Sequence, residues 1–195
     1  ANYTFTESGS FTFKFQDELG NSGSYVAAVD WIDRTIPSSK IIITNSSNDV
    51  ISDSWANEDV IVSIIPSAFA AVEDVRFNGV SVSSSGLITD IGNNRYQVSG
   101  YGKLTYILKD IDTHLAYSGE TMIRVDKTAP SITAVNYSSN SWTNQNVSVV
   151  ITAEDDLGAL SYPNGLSHVF TENGSYSFIV KDSAGNTATK TVTVD

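Results

Sequence analysis

Cysteine is absent from the 195 residues, which excludes disulfides, thiolate metal sites and a cysteine nucleophile together. Basic side chains are scarce: 11 Lys and Arg stand against 22 Asp and Glu, a formal charge of −11. Binding nucleic acid requires cations that displace counterions from phosphates, and anionic membranes repel the same acidic surface. Neither nucleic acid nor membrane is therefore an expected partner, whereas divalent cations are natural counter-charges. No apolar run reaches the length of a membrane span or a signal-peptide core. The only histidines, His114 and His168, lie far apart in sequence and outside any nucleophile-elbow motif, so no Ser-His-Asp reading arises. Both read as exposed polar residues. No Gly-rich loop leads into Lys-Ser or Lys-Thr and a helix, which removes phosphate-binding loops. The acidic residues follow a repeat instead of forming one glycosidase-like pair. The chain reads as non-catalytic, yet its 41% of apolar residues suffices for a folded core.

What the chain does have is repetition. Phe5-Thr-Glu-Ser-Gly-Ser-Phe-Thr-Phe-Lys-Phe-Gln-Asp17 matches Phe170-Thr-Glu-Asn-Gly-Ser-Tyr-Ser-Phe-Ile-Val-Lys-Asp182, and Gly102-Lys-Leu-Thr-Tyr-Ile-Leu-Lys-Asp110 shares their pattern. After each glycine the apolar residues alternate: Phe11, Phe13, Phe15; Leu104, Tyr106, Leu108; Tyr176, Phe178, Val180. A period of two marks strands with one buried face. Asp17-Glu-Leu-Gly-Asn21 matches Asp182-Ser-Ala-Gly-Asn186, and Gly and Asn suit a tight turn into a second antiparallel strand. The middle copy has Asp110-Ile-Asp-Thr-His114 here, placing His114 where the others carry Asn.

Asp33-Arg-Thr-Ile-Pro37 then matches Asp126-Lys-Thr-Ala-Pro130, and Ser54-Trp-Ala-Asn57 matches Ser141-Trp-Thr-Asn144 ahead of the alternating strands Val60/Val62/Ile64 and Val147/Val149/Ile151. These boundaries divide the chain into the C-terminal strands of one repeat (1–33), a repeat lengthened between about Pro66 and Arg95 (34–126), and a further repeat (127–195). The first half of the first unit is expected to lie outside this sequence. Short alternating strands with regular turn signals imply an all-β chain of tandem, antiparallel immunoglobulin-like sandwiches.

The ordered set Asp-x-Thr-x-Pro, Trp-x-Asn-x-x-Val, Glu-Asn-Gly-x-Tyr-x-Phe and Asp-x-Ala-Gly-Asn resembles the bacterial Ig-like repeats of Gram-positive cell-surface and secreted proteins. The resemblance covers 127–195, most of 34–126 and the end of 1–33. It implies an extracellular or cell-surface location and a stalk, spacer or adhesion role. It also implies neighbouring repeats of the same protein as partners, and extracellular proteins or glycans as ligands. The alternative role is a carbohydrate- or protein-binding accessory module of a secreted glycosidase or adhesin.

Calcium is the sharpest site expectation. In this topology the linker Asp126 approaches Glu154, Asp155 and Asp156 after one strand and Asp182 at the end of another. Calcium takes about six to eight oxygens, which carboxylates and carbonyls supply. The corresponding weaker set in the middle repeat is Asp33, Asp74, Asp110 and Asp112. Trp55 and Trp142, at one register, read as packing anchors, and Trp31 as a wedge between repeats. Exposure of Phe69, Phe77 and Tyr96 together would indicate a binding face, and their burial a spacer. The apolar face of Phe11, Phe13 and Phe15 lacks its sheet partner and is expected to pair with a second copy of the chain, giving a dimer through residues 1–33.

Overall fold

The computed structural model describes residues 2–195 and is all-β apart from one short 3-10 turn. The first unit is a single hairpin, β1 (Gly9–Gln16) and β2 (Ser22–Val29), in register from Gly9↔Val29 to Gln16↔Ser22.

The middle repeat is a sandwich of two four-stranded sheets. One sheet has the order β3 (Ser39–Thr44), β4 (Val60–Pro66), β8 (Arg95–Val98), β7 (Ile88–Asp90). The other has the order β10 (Ala116–Ile123), β9 (Gly102–Asp110), β5 (Ala70–Phe77), β6 (Val80–Ser81). Alternation does the work here: Val60, Val62 and Ile64 of β4 face Leu104, Tyr106 and Leu108 of β9 in one buried cluster with Phe77, Tyr96 and Val98. The extra residues 66–95 form no excursion. They lengthen both sheets through β5, β6 and β7, and they bury Phe77 and Tyr96 while Phe69 stays exposed, so no aromatic binding face arises there.

The last repeat is the smaller version. Its sheet β11 (Ser131–Tyr137), β12 (Val147–Glu154), β13 (Ser167–Phe170) covers the hairpin β14 (Gly174–Lys181), β15 (Thr187–Val194). Val149, Ile151, Phe170, Phe178, Val180 and Val192 form its core, and Ser177 and Lys181 point outward as the alternation requires. Each such apolar side chain withdrawn from water contributes about 1.5–3 kcal/mol. Where the middle repeat has β5 along β9, only the isolated bridge Ser161↔Lys181 remains. The architecture is that of tandem immunoglobulin-like β-sandwiches.

Three aromatic expectations change. His168 is no free polar residue: it is half-buried, stacked on Tyr176 with ring centroids 3.8 Å apart, and edge-on to Phe170. Trp31 is exposed instead of wedged, and Trp142 is 93% exposed, unlike its half-buried counterpart Trp55. In the first hairpin Tyr3 stacks on Phe11 at 3.8 Å and meets Phe5 edge-on, so preceding residues cover part of the apolar face. Phe15 and Tyr25 stay exposed.

Candidate metal centre

The candidate site forms where the middle repeat meets the last one, and backbone pairing sets it up. Ala56 forms a parallel bridge with Val125, the Asp126 N–H donates to the Ala56 carbonyl (2.9 Å), and the linker is thereby pinned beside Trp55. Asp126 then makes an Asx turn, its Oδ1 accepting from Thr128 N–H at 2.9 Å. Lys127 reaches back to Asp59 at 2.7 Å, and that ion pair, more than any other contact, lowers the Asp59 pKa.

From the last repeat comes the β14–β15 turn. Asp182 Oδ1 accepts from Gly185 N–H (2.6 Å) and Asn186 N–H (2.8 Å), and Oδ2 from Asn186 Nδ2 (2.7 Å). Asn186 Nδ2 also donates to the Asp126 carbonyl at 2.9 Å, stitching the turn to the linker. Asp155 completes the set, its Oδ2 accepting from Leu157 N–H at 3.1 Å. One oxygen of each of Asp126, Asp155 and Asp182 lies within 4.8 Å of the others. Asp126 and Asp182 are each only 4% exposed. Burial raises the Asp126 pKa, and the carboxylates of Asp155 and Asp182 raise it further against the Thr128 N–H. Such a convergence of acids in a buried place costs free energy without a compensating positive charge.

Not every sequence candidate joins. The strand alternation continues past β12, so Asp155 turns inward while Glu154 and Asp156 face solvent. In the middle repeat no such set assembles among the described residues. Asp74 lies within β5, exposed, with its carboxylate on Arg76 Nε at 3.0 Å. Aligning β4 with β12 places Ala68, not Asp74, at the Asp155 position. Asp33 repeats the Asx turn, accepting from Thr35 N–H at 2.8 Å, and Asp112 is exposed, offering its N–H to Asp110. Asp110 itself is fully buried, with Oδ1 accepting from Asp112 and Thr113 and Oδ2 without any hydrogen-bond partner.

The sequence alignment misplaced one residue in that turn. Asp182 N–H pairs with the Asn186 carbonyl and Asp17 N–H with Asn21, but Asp110 N–H pairs with Leu115. The middle turn is one residue longer. His114 therefore takes the positive-φ place of Gly20 and Gly185, and Leu115 the place of Asn21 and Asn186. Leucine has no donor to give Oδ2 of Asp110.

No family model matches the chain, and no curated protein matches it. Solved structures similar to it include the N-terminal eight Ig domains of Down Syndrome Cell Adhesion Molecule isoform 1.30.30, at 10% identity and a TM-score of 0.48, covering 95% of this chain and 35% of that one. The fibronectin(III)-like modules of Clostridium thermocellum CbhA align at 14% identity and a TM-score of 0.31, covering 78% and 92% of the two chains. Parabacteroides merdae β-glucuronidase aligns at 13% identity and a TM-score of 0.29, over 80% of this chain and 25% of that enzyme. The chain thus spans about a third of the length of the first of these. No helix among the described residues is long and apolar enough to cross a membrane.

Proposed function

We propose that the chain is a non-catalytic spacer from a bacterial surface or secreted protein, and that calcium bound by Asp126, Asp155 and Asp182 stiffens its central joint. The observation that carries this reading is the meeting of a linker carboxylate with two from the next repeat, two of the three buried. A cation there neutralises their repulsion and ties both repeats through one set of ligands. Calcium suits the site because its oxygen shell is flexible and accepts backbone carbonyls and water beside carboxylates. Proline at 37 and 130 restricts each linker, so a clamped joint holds the repeats in line and keeps a distal domain away from the cell. Extracellular calcium is abundant enough for a weak site of this kind to fill.

A ligand bound only by the folded state stabilises it by about 2.7 kcal/mol at a hundredfold excess over Kd. Melting in millimolar calcium should accordingly lie several degrees above melting in chelator. Coincident curves would remove calcium from the function.

A second reading, an accessory module that binds glycan or protein, draws support from Trp142. Its exposed ring borders a cleft of about 540 Å³ with Asn140, Asn144, Glu172 and Asn173.

A further inference from the structure

Trp142 has a counterpart whose use is visible in the same molecule. Trp55 stacks on Tyr101 (centroids 5.5 Å apart, planes 12° apart) and extends across the joint. There its Cζ2 would lie 3.6 Å from a β-carbon at Gly158 of the last repeat. Gly158, at φ +81°, and Gly185, at φ +101°, lie in the two loops of the last repeat that face the middle one. Asn57 Nδ2 comes within 3.9 Å of where a β-carbon on Gly185 would sit. The receiving surface at the C-terminal end of the middle repeat is therefore Trp55, Asn57 and the linker Asp126.

The last repeat carries the first two of these features at the same places. Ser141-Trp142-Thr143-Asn144 repeats Ser54-Trp55-Ala56-Asn57, while the strand register, Val194↔Gly174 beside Ile123↔Gly102, sets Asp195 at the place of Arg124. Trp142, Asn144 and Asp195 line one cleft. One difference sharpens the point. The residue beneath Trp55 is Tyr101, and the matching residue of the last repeat is Asn173, so Trp142 has no aromatic floor of its own. A tryptophan left 93% exposed on a polar floor exposes a large apolar area that only an outside partner removes from water.

We infer that the surface of Trp142 and Asn144 docks a further sandwich module of this same type. The partner presents an acidic loop ending in glycine, like Asp155-Asp156-Leu157-Gly158, and an Asp-x-x-Gly-Asn turn, like 182–186. The indole lies in van der Waals reach of the glycine, whose positive φ and close Ser183 disfavour a side chain there. The docking rests on these contacts and not on the calcium reading.

Hydroxyl-radical footprinting resolves the three tryptophans individually. It is run on the full chain and on the chain extended after Asp195 by a second copy of residues 125–195, so that Val125 and Asp126 follow as they follow Arg124, each in calcium and in chelator. In the extended protein Trp142 should fall to the labelling rate of Trp55, while Trp31 keeps its own. A folded extension with Trp142 as reactive as Trp31 overturns the inference. So does an extension whose amides stay unprotected, since the same residues fold behind Asp126. A Trp142→Ala version should leave the added copy folded but speed hydrogen exchange in its Asp182–Asn186 turn; unchanged exchange there counts against docking. Shielding of Trp142 in the unextended chain by millimolar cello- or chito-oligosaccharides would assign the surface to a glycan and overturn the proposal.

Discussion

The two linkers begin alike and end differently. Asp33 and Asp126 form the same Asx turn onto a threonine N–H, and Asp110 and Asp182 both close a hairpin turn through Oδ1. Around Asp126, however, Asp155 supplies a third carboxylate and Asn186 donates to both Asp182 and the linker carbonyl. Around Asp33 the corresponding residues are Ala68 and Leu115, which offer neither charge nor donor. The Asp-x-Thr-x-Pro motif thus makes a bend, and the carboxylate cluster beside Asp126 needs Asp155 and Asp182 from outside it. A joint can keep its linker sequence and lack the cluster.

The largest expected effect tests that division directly. Asp155→Asn should abolish the calcium-dependent rise in melting temperature, while Ala68→Asp should add a second calcium response by completing a set with Asp33 and Asp110. Isothermal titration with calcium counts the sites. An unchanged response in Asp155→Asn would move the cation elsewhere, and no gain in Ala68→Asp would show that the third carboxylate is not what separates the joints.

A smaller effect of opposite sign appears without metal. Asn at 126 still accepts from Thr128 but carries no charge, so in chelator Asp126→Asn should stabilise the chain by about 1 kcal/mol. The pH dependence follows from the raised Asp126 pKa. The folded state binds this proton before the unfolded chain, whose value is about 4, does. The contribution is therefore fully present below the unfolded value and is lost as pH rises through the higher folded one. Asp17, Asp59 and Asp110 have lowered values and act oppositely, losing stability as pH falls. The difference between wild type and Asp126→Asn in chelator isolates the one term: the variant's advantage should be greatest near neutral pH and vanish in acid. A difference independent of pH would show that Asp126 is not strained by its neighbours.

Alternation made the cores legible, because Val60/Val62/Ile64, Leu104/Tyr106/Leu108 and Val147/Val149/Ile151 could be buried on one face only. For the same reason Asp126, Asp155 and Asp182 could be placed together from strand ends and topology. Alternation applied one step further would have set aside Glu154 and Asp156. Asp74 stays away from the other acids because the lengthened stretch holds a strand, β5, in which it lies. The exposure of Trp142 was not legible at all. Its sequence neighbours match those of Trp55, and the difference lies in a residue over 30 positions away, Asn173 in place of Tyr101. The longer middle turn escaped notice because His114 falls at the fourth position after Asp110, where Asn stands in the other copies, although the hydrogen-bond register puts Leu115 there.

That shifted register gives the smallest and most local prediction. Asp17 and Asp182 each satisfy Oδ2 through an asparagine Nδ2 at 2.7 Å, whereas Asp110 Oδ2 is buried with no partner. An unsatisfied buried acceptor keeps its desolvation penalty, so a donor brought to it stabilises the fold. Leu115 holds the asparagine position and is exposed, so replacing it removes no core contact. Leu115→Asn should raise the midpoint of urea unfolding with an unchanged slope, since the surface exposed on unfolding hardly alters. Two controls separate donor from bulk: Leu115→Ala removes the side chain without adding a donor and should not stabilise, and Leu115→Asp places an acceptor beside an acceptor and should destabilise. His114 would stay where it is, at φ 60°, a conformation that histidine and asparagine adopt more readily than most residues. If alanine stabilises as much as asparagine, the gain comes from losing exposed leucine, and the orphan oxygen of Asp110 is satisfied by solvent.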